Sequence, residues 1–194
     1  MQNNTYAALF RPAARGQALV YDLMLVIGAT IAIALSAQLA VPVPFSPVPI
    51  TMQTLAVLLT GALLGSRLGT LAILAYLLEG VAGLPVFANA HSGLVHLFGP
   101  TGGYLLGFVP AAGITGYLAE RRGKSSWLIT LFIMTVGTSV IFICGLGWLS
   151  FFTTGSELIF LGLYPYLPGA FFKIIIASLL YLSGWQVADL RKKQ

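Results

Sequence analysis

The chain has 194 residues, of which 58% are hydrophobic and only 8% charged, and its mean hydropathy is +0.92. A soluble domain carries roughly 25–35% charged residues on its surface, so this composition excludes an ordinary water-soluble enzyme or nucleic-acid module and predicts an all-α membrane protein. The net charge of +5 does not reverse this, because the basic residues collect at the ends of apolar segments and form no stripe with interleaved aromatics.

A membrane span needs about 20 predominantly apolar residues. Residues 20–41 supply the first, interrupted by Thr30, Ser36 and Gln38. The run is longer than a signal-peptide core of about 7–15 residues, so it is expected to be retained. Gly28, Ala32, Ser36 and Ala40 recur every fourth residue along it. Such a face of small side chains permits close helix approach, either within its own bundle or against another subunit. Pro42, Pro44, Pro47 and Pro49 then remove backbone donors repeatedly and predict an extended loop. The second helix, residues 51–65, is short for a span, and Gly61, Gly65 and Gly69 point to close packing. After a turn marked by Arg67, the third helix covers residues 68–84 and ends at Gly83-Leu84-Pro85. A glycine-rich connection with Asn89, His91 and His96 leads to the fourth helix, residues 101–119, followed by a polar turn from Glu120 to Lys124. The fifth helix spans 126–152. Residues 153–167 read as a loop carrying Glu157, and the sixth helix, 168–190, opens at Pro168, a residue suited to a first helical turn.

Six transmembrane helices put both termini on one side, and every basic residue except Lys173 falls on that same side. The positive-inside rule makes that side cytoplasmic and predicts a multi-pass protein of the inner (cytoplasmic) cell membrane, with the loops after the first, third and fifth helices outside.

Lys173 stands near the outer end of the sixth helix, where an ammonium is costly unless it is paired, snorkels to the interface or faces a wet cavity. It therefore reads either as a snorkelling side chain or as a ligand contact. Glu79, near the outer end of the third helix, either pairs Lys173 or reaches the headgroups. Thr51, Gln53 and Thr54 crowd the start of the second helix, level with Asn89. Thr51 alone fits a helix cap, whereas the Gln53 amide needs partners for two donors and a carbonyl. His91 and His96 lack zinc spacing and read as surface loop histidines. The single Cys144 excludes an intrachain disulfide and a paired-cysteine site. The run GPTGGYLLG lacks the Gly-Lys-Ser/Thr ending of a phosphate-binding loop, and no Ser-His-Asp, HExxH or paired-carboxylate pattern is present. The expectation is a protein with no catalytic residue, metal or cofactor.

Four segments together carry a resemblance: SPVPITMQTLAVLLTGALLG (Ser46 to Gly65), GLPVFA (Gly83 to Ala88), GPTGGYLLGF (Gly99 to Phe108), and PYLPG with Lys173 four residues after Gly169. In this order, over nearly the whole chain, the sequence resembles the BioY family, the biotin-binding S components of energy-coupling-factor vitamin transporters. The resemblance implies an S-component-like six-helix bundle that binds biotin at its outer side, with biotin as transported ligand and no cofactor. It also implies a transmembrane coupling subunit and two ATPase subunits as partners, the lipid bilayer as solvent, and no nucleic acid. The small-residue face of the first helix resembles the motif by which S components dock. Matching positions make Thr51, Gln53, Phe87, Asn89, Tyr104 and Lys173 the implied substrate-binding residues, with Glu79 and Glu157 as ion-pair or accessory groups.

One position departs from the family pattern: Ala170 follows PYLPG where an acidic residue is usual. Either Glu157, Glu79 or the Asn89 carbonyl replaces that acceptor, or affinity falls, or the ligand is a relative of biotin. The outer loops, 41–50 and 85–100, are expected to order around ligand as a gate. Two rival readings are a solitary biotin permease that forms homo-oligomers through the first helix, and a membrane enzyme using Lys173 and Glu79 as acid and base.

Overall fold

Apolar segments in a medium without water must satisfy their backbone polar groups internally, which a helix does. In the computed structural model, which describes residues 5–123, 125–153 and 155–191, the chain is accordingly built of helices with one minimal strand pair. Lys124, Lys192 and Lys193, which entered the charge argument, lie outside the described residues. The order is α1 (Tyr6–Leu9), α2 (Arg15–Gln38), β1 (Ala40–Val41), β2 (Ile50–Thr51), α3 (Gln53–Val81), α4 (Leu94–Phe98), α5 (Gly102–Arg122), α6 (Trp127–Leu149), α7 (Gly155–Gly162) and α8 (Leu167–Arg191). Among the described residues, four stretches are long and apolar enough to cross a membrane: α2, α3, α6, and the run Glu157–Gln186 that includes most of α8.

Three local features differ from the sequence expectation. The turn between the second and third helices shrinks to Gly65 alone, which adopts φ 87° and ψ 176°, so that the two helices run together as α3 and fold back on each other, a Cβ on Gly69 lying 2.9 Å from Gly61 Cα. That conformation is open to glycine and strained for other residues. The Glu120 carboxylate from α5 lies against the break and accepts the Ser66 N–H at 2.8 Å, with the Ser66 hydroxyl donating at 3.0 Å, so the second half of α3 begins with a capped donor. The proline loop is closed at its base by the antiparallel pairs Ala40–Thr51 and Val41–Ile50, which also takes Ala40 out of α2. The segment expected to be a loop at 153–167 contains α7 and a tight turn at Tyr164–Tyr166. Glu157 in the first turn of α7 suits the positive end of the helix dipole.

Glycine contacts hold the helices close together. A Cβ on Gly61 would meet the Ala112 backbone at 2.5 Å, and one on Gly116 would meet Ser66 N at 2.5 Å, so α3 and α5 touch backbone to backbone. Gly107 of α5 similarly admits Cys144 of α6. The surface is inverted relative to a soluble protein. Leu23, Met24, Leu35, Leu128, Phe132 and Ile143 all stand exposed, as expected where the surrounding medium is hydrocarbon. The bundle ends are chemically distinct. Arg15, Arg67, Arg121 and Arg122 sit at or near one end, and the proline loop, α4 and α7 cover the other.

Candidate functional site

The covered end is built by loops tied to helix termini. The Ser46 hydroxyl donates to the Leu161 carbonyl at 2.8 Å and the Tyr166 hydroxyl to the Val48 carbonyl, which binds the proline loop to the turn before α8. Gln38, at the end of α2, donates to the Phe87 carbonyl (3.2 Å) and accepts from the Ala90 N–H (3.0 Å). These two bonds hold a sharply turned segment in which Asn89 and Ala90 have φ of 56° and 59°.

Beneath these loops lies a cleft with about 700 Å³ free of protein atoms, mouth included. Its lining includes the polar residues Thr51, Gln53, Thr54, His96, Thr101 and Lys173 and the aromatic and aliphatic residues Tyr104, Leu105, Phe108, Ile141, Phe142 and Tyr166. A few polar groups converging on an otherwise apolar cleft is the usual form of a small-molecule site. Tyr104 is fixed by donating to the Gly162 carbonyl at 2.7 Å and by Gly145, which leaves room for its ring.

The polar lining is internally connected. Lys173 Nζ donates to the Thr51 carbonyl at 2.5 Å, and the Thr51 hydroxyl donates to Gln53 Oε1 at 3.1 Å. Gln53 Nε2 in turn donates to the Tyr76 hydroxyl at 2.6 Å, which donates to the Val86 carbonyl at 3.0 Å. The partners that the Gln53 amide requires are thus supplied by Thr51 and a buried tyrosine, and the relay links the cation on α8 to the loop that follows α3.

The structure brings Thr51, Gln53, Tyr104 and Lys173 together and separates the other sequence candidates from them. Phe87 is fully buried and supports the wall from behind, packing edge-on against Tyr76 (ring centroids 5.7 Å apart) and stacking on His96 (5.4 Å). Asn89 lines a second cavity that opens beside the first. Glu79 and Glu157 do not line the cleft, and among the described residues the one ion pair within 4.0 Å joins Arg11 to Asp22. The suggested Glu79–Lys173 pair is therefore corrected: Lys173 is held by a backbone carbonyl. His96 is corrected as well, because it is half-buried and lines the cleft. Burial and the neighbouring His91 ring, stacked at 5.0 Å, push its pKa below the ordinary 6.5. His91 Nδ1 lies 2.8 Å from the Ala88 carbonyl, an acceptor, so this nitrogen carries the hydrogen. Phe108, Ile141, Phe142 and Tyr166 were not singled out from the sequence. The spacing of Tyr104, Leu105 and Phe108, which puts them on one helical face, was the available signal.

Among the described residues, no group of three or more His, Cys, Asp and Glu side chains could hold a metal ion. On α2, Gly28 and Ala32 are exposed and Ser36 half-exposed, and nothing lies within 4 Å of a Cβ placed on Gly28. The small-residue face thus points out of the bundle.

Comparison with known proteins agrees with this architecture. The family model described as "BioY family" matches residues 5–189. The chain is 35% identical over 164 residues to "Biotin transporter BioY" of Thermotoga maritima, covering 84% of this chain and 90% of that protein. It is 39% identical over 166 residues to "Biotin transporter BioY2" of Lactococcus lactis, covering 85% and 88%. Among solved structures, it superposes with a TM-score of 0.76 and 27% identity on the crystal structure of the "S-component for biotin from an ECF-type ABC transporter", over 93% of this chain and 95% of that one.

Proposed function

Since the chain belongs to the BioY family, we propose that it captures biotin in the cleft beneath the proline loop and serves as the substrate-binding component of an energy-coupling-factor transporter. The observation that carries this reading is the convergence of Thr51, Gln53 and Lys173, linked by hydrogen bonds, in a cleft whose remaining lining is largely aromatic and aliphatic. Biotin presents a ureido group with two N–H donors and a carbonyl, a thioether ring and a carboxylate-bearing chain, so it needs both kinds of wall. Lys173 and Gln53 can donate to its oxygens. With Ala170 in the wall and the acidic residues outside the cleft, acceptors for the ureido N–H groups come from the Thr51 and Thr54 hydroxyls or the Gln53 side-chain carbonyl.

In this reading the spans are six: α2, the two halves of α3, α5, α6 and α8. Both termini are cytoplasmic, which the arginines gathered at the end away from the cleft support. Energy comes from a separate coupling subunit and two ATPase subunits. The outward-facing small residues Gly28 and Ala32 are the contact for the coupling subunit, supported by their exposure and by the close approach such faces allow. The loops at 41–50 and 85–100 act as the gate, and the work of transport is conformational.

Titration calorimetry on the purified, detergent-solubilised chain tests the reading. Saturable biotin binding is expected, weakened by about one order of magnitude or more in Lys173→Ala, because the ligand then leaves polar groups unpaired in a dry site. Absence of saturable binding, or equal affinity in the variant, would refute it.

A further inference from the structure

The cleft continues into a second cavity. Pro49, Ala88, His96 and Thr101 line both, and the outer one has about 450 Å³ free of protein atoms, mouth included. Beyond the shared residues its walls are Pro42, Val43, Ser46, Pro47, Asn89 and His91, all without a carboxylate or an ammonium. The two cavities therefore differ in character: the inner one is walled by large apolar side chains and holds Lys173, and the outer one is walled by proline, small apolar and uncharged polar groups.

This division orients the ligand. The ring system belongs in the inner cleft, its thioether face against Leu105, Phe108, Ile141 and Phe142 and its ureido group toward Thr51, Gln53 and Lys173. The carboxylate then stands at the junction or in the outer cavity, where it keeps water. The reverse pose would set the carboxylate beside Lys173, whose ammonium is already directed at the Thr51 carbonyl, and strip its hydration, a cost of several kcal/mol per ion that only excellent ion-pair geometry offsets. The outer cavity does not require an anion either, because the His96 ring at the junction is held toward its neutral form by burial and by His91. An amide in place of the carboxylate would meet groups able to donate and accept, such as the Asn89 amide and the histidine ring nitrogens.

We propose that the outer cavity is a second subsite that receives a group joined by an amide bond to the ligand's carboxylate, so that biotin conjugated to a lysine side chain is also a ligand of this chain. The proposal rests on the reading of the inner cleft as a biotin site, and its test separates the two. Calorimetry is run with biotin and with ε-N-biotinyl-lysine on the intact chain and on Val43→Trp, which fills the outer cavity alone. The expected result is a conjugate Kd within about tenfold of that for biotin, a difference of at most ~1.4 kcal/mol. In Val43→Trp, a change within the gate loop, the ratio of conjugate Kd to biotin Kd is expected to rise by more than about tenfold. A conjugate more than about tenfold weaker than biotin on the intact chain overturns the proposal, as does a folded Val43→Trp that treats both ligands alike. If Val43→Trp does not fold, Pro42→Trp at the exposed rim replaces it under the same criteria. Failure of biotin itself to bind the intact chain would instead overturn the functional reading beneath.

Discussion

Tyr76 receives a hydrogen bond from Gln53 and donates one to Val86, so a single phenol holds together the floor of the cleft and the loop above it. Tyr76→Phe leaves the Gln53 amide and the Val86 carbonyl short of a partner, and an unsatisfied buried group costs about 1–3 kcal/mol. A lower unfolding temperature in detergent and faster proteolysis of the 85–91 segment are expected, and unchanged values for both would show the relay to be unimportant. His96 makes a pH-dependent contribution. Its pKa is lowered from 6.5 in the folded chain, so between the two values the unfolded state binds the additional proton. Stability from this group is complete above pH 6.5 and falls as pH drops through that value toward the folded pKa. Unfolding temperatures compared between pH 7.5 and pH 5 should therefore decline less in His96→Gln than in the intact chain, and equal declines would contradict the assignment. Thr51, Gln53 and Lys173 stand out in the sequence because a polar group inside an apolar helix is conspicuous. Phe108 and Ile141 do not, since one more apolar residue in an apolar chain carries no contrast. Glu79 shows what level alone leaves open: it was matched to Lys173 by height in the membrane, and height says nothing of the direction in which a helix turns its side chains.

At the scale of elements, the break in α3 is the feature with the clearest energetics. Gly65→Ala forces a Cβ into the Glu120 carboxylate at a backbone conformation that is essentially restricted to glycine and costs roughly 1–3 kcal/mol for another residue by itself. Glu120→Ala instead removes the acceptor of the Ser66 N–H, a loss of about 1–3 kcal/mol. Both variants should unfold at lower temperature or denaturant concentration, with Glu120→Gln losing less because its carbonyl can still accept. A Gly65→Ala protein as stable as the parent would exclude strain at the break. The glycines at 61, 65 and 69 announced close packing in the sequence, and Arg67 suggested a turn. The chain reverses at Gly65 and the next helix already includes Arg67, because Glu120 from a distant segment supplies the cap at Ser66. A long-range partner of this kind leaves no local signature. The same holds for α7, whose eight residues fall short of the window over which helical periodicity can be read.

For the molecule as a whole, composition alone announced a membrane protein, and the exposed leucines and phenylalanines display the same fact in three dimensions. The four-residue repeat of small side chains was legible too, but its direction was not. Periodicity defines a face, and only the packed bundle says that Gly28 and Ala32 look outward while Ala40 has left the helix for a strand. Ala32→Trp should therefore leave biotin affinity within about twofold, a change of at most ~0.4 kcal/mol. It should also sharply reduce biotin uptake by cells that supply the coupling and ATPase subunits. Loss of affinity would mean that the face supports the cleft, and undiminished uptake would mean that nothing docks there.

The bond from Lys173 to the Thr51 carbonyl gives the ammonium a fixed bearing. An ammonium has three donors, and with one committed to the carbonyl the other two are aimed rather than free to swivel. An acceptor in the cleft would be met from a set direction, so that geometry and not charge alone would sort good mimics from poor ones. Because Thr51 also closes the base of the proline hairpin, a ligand that drew the ammonium out of line would be felt in the loop above.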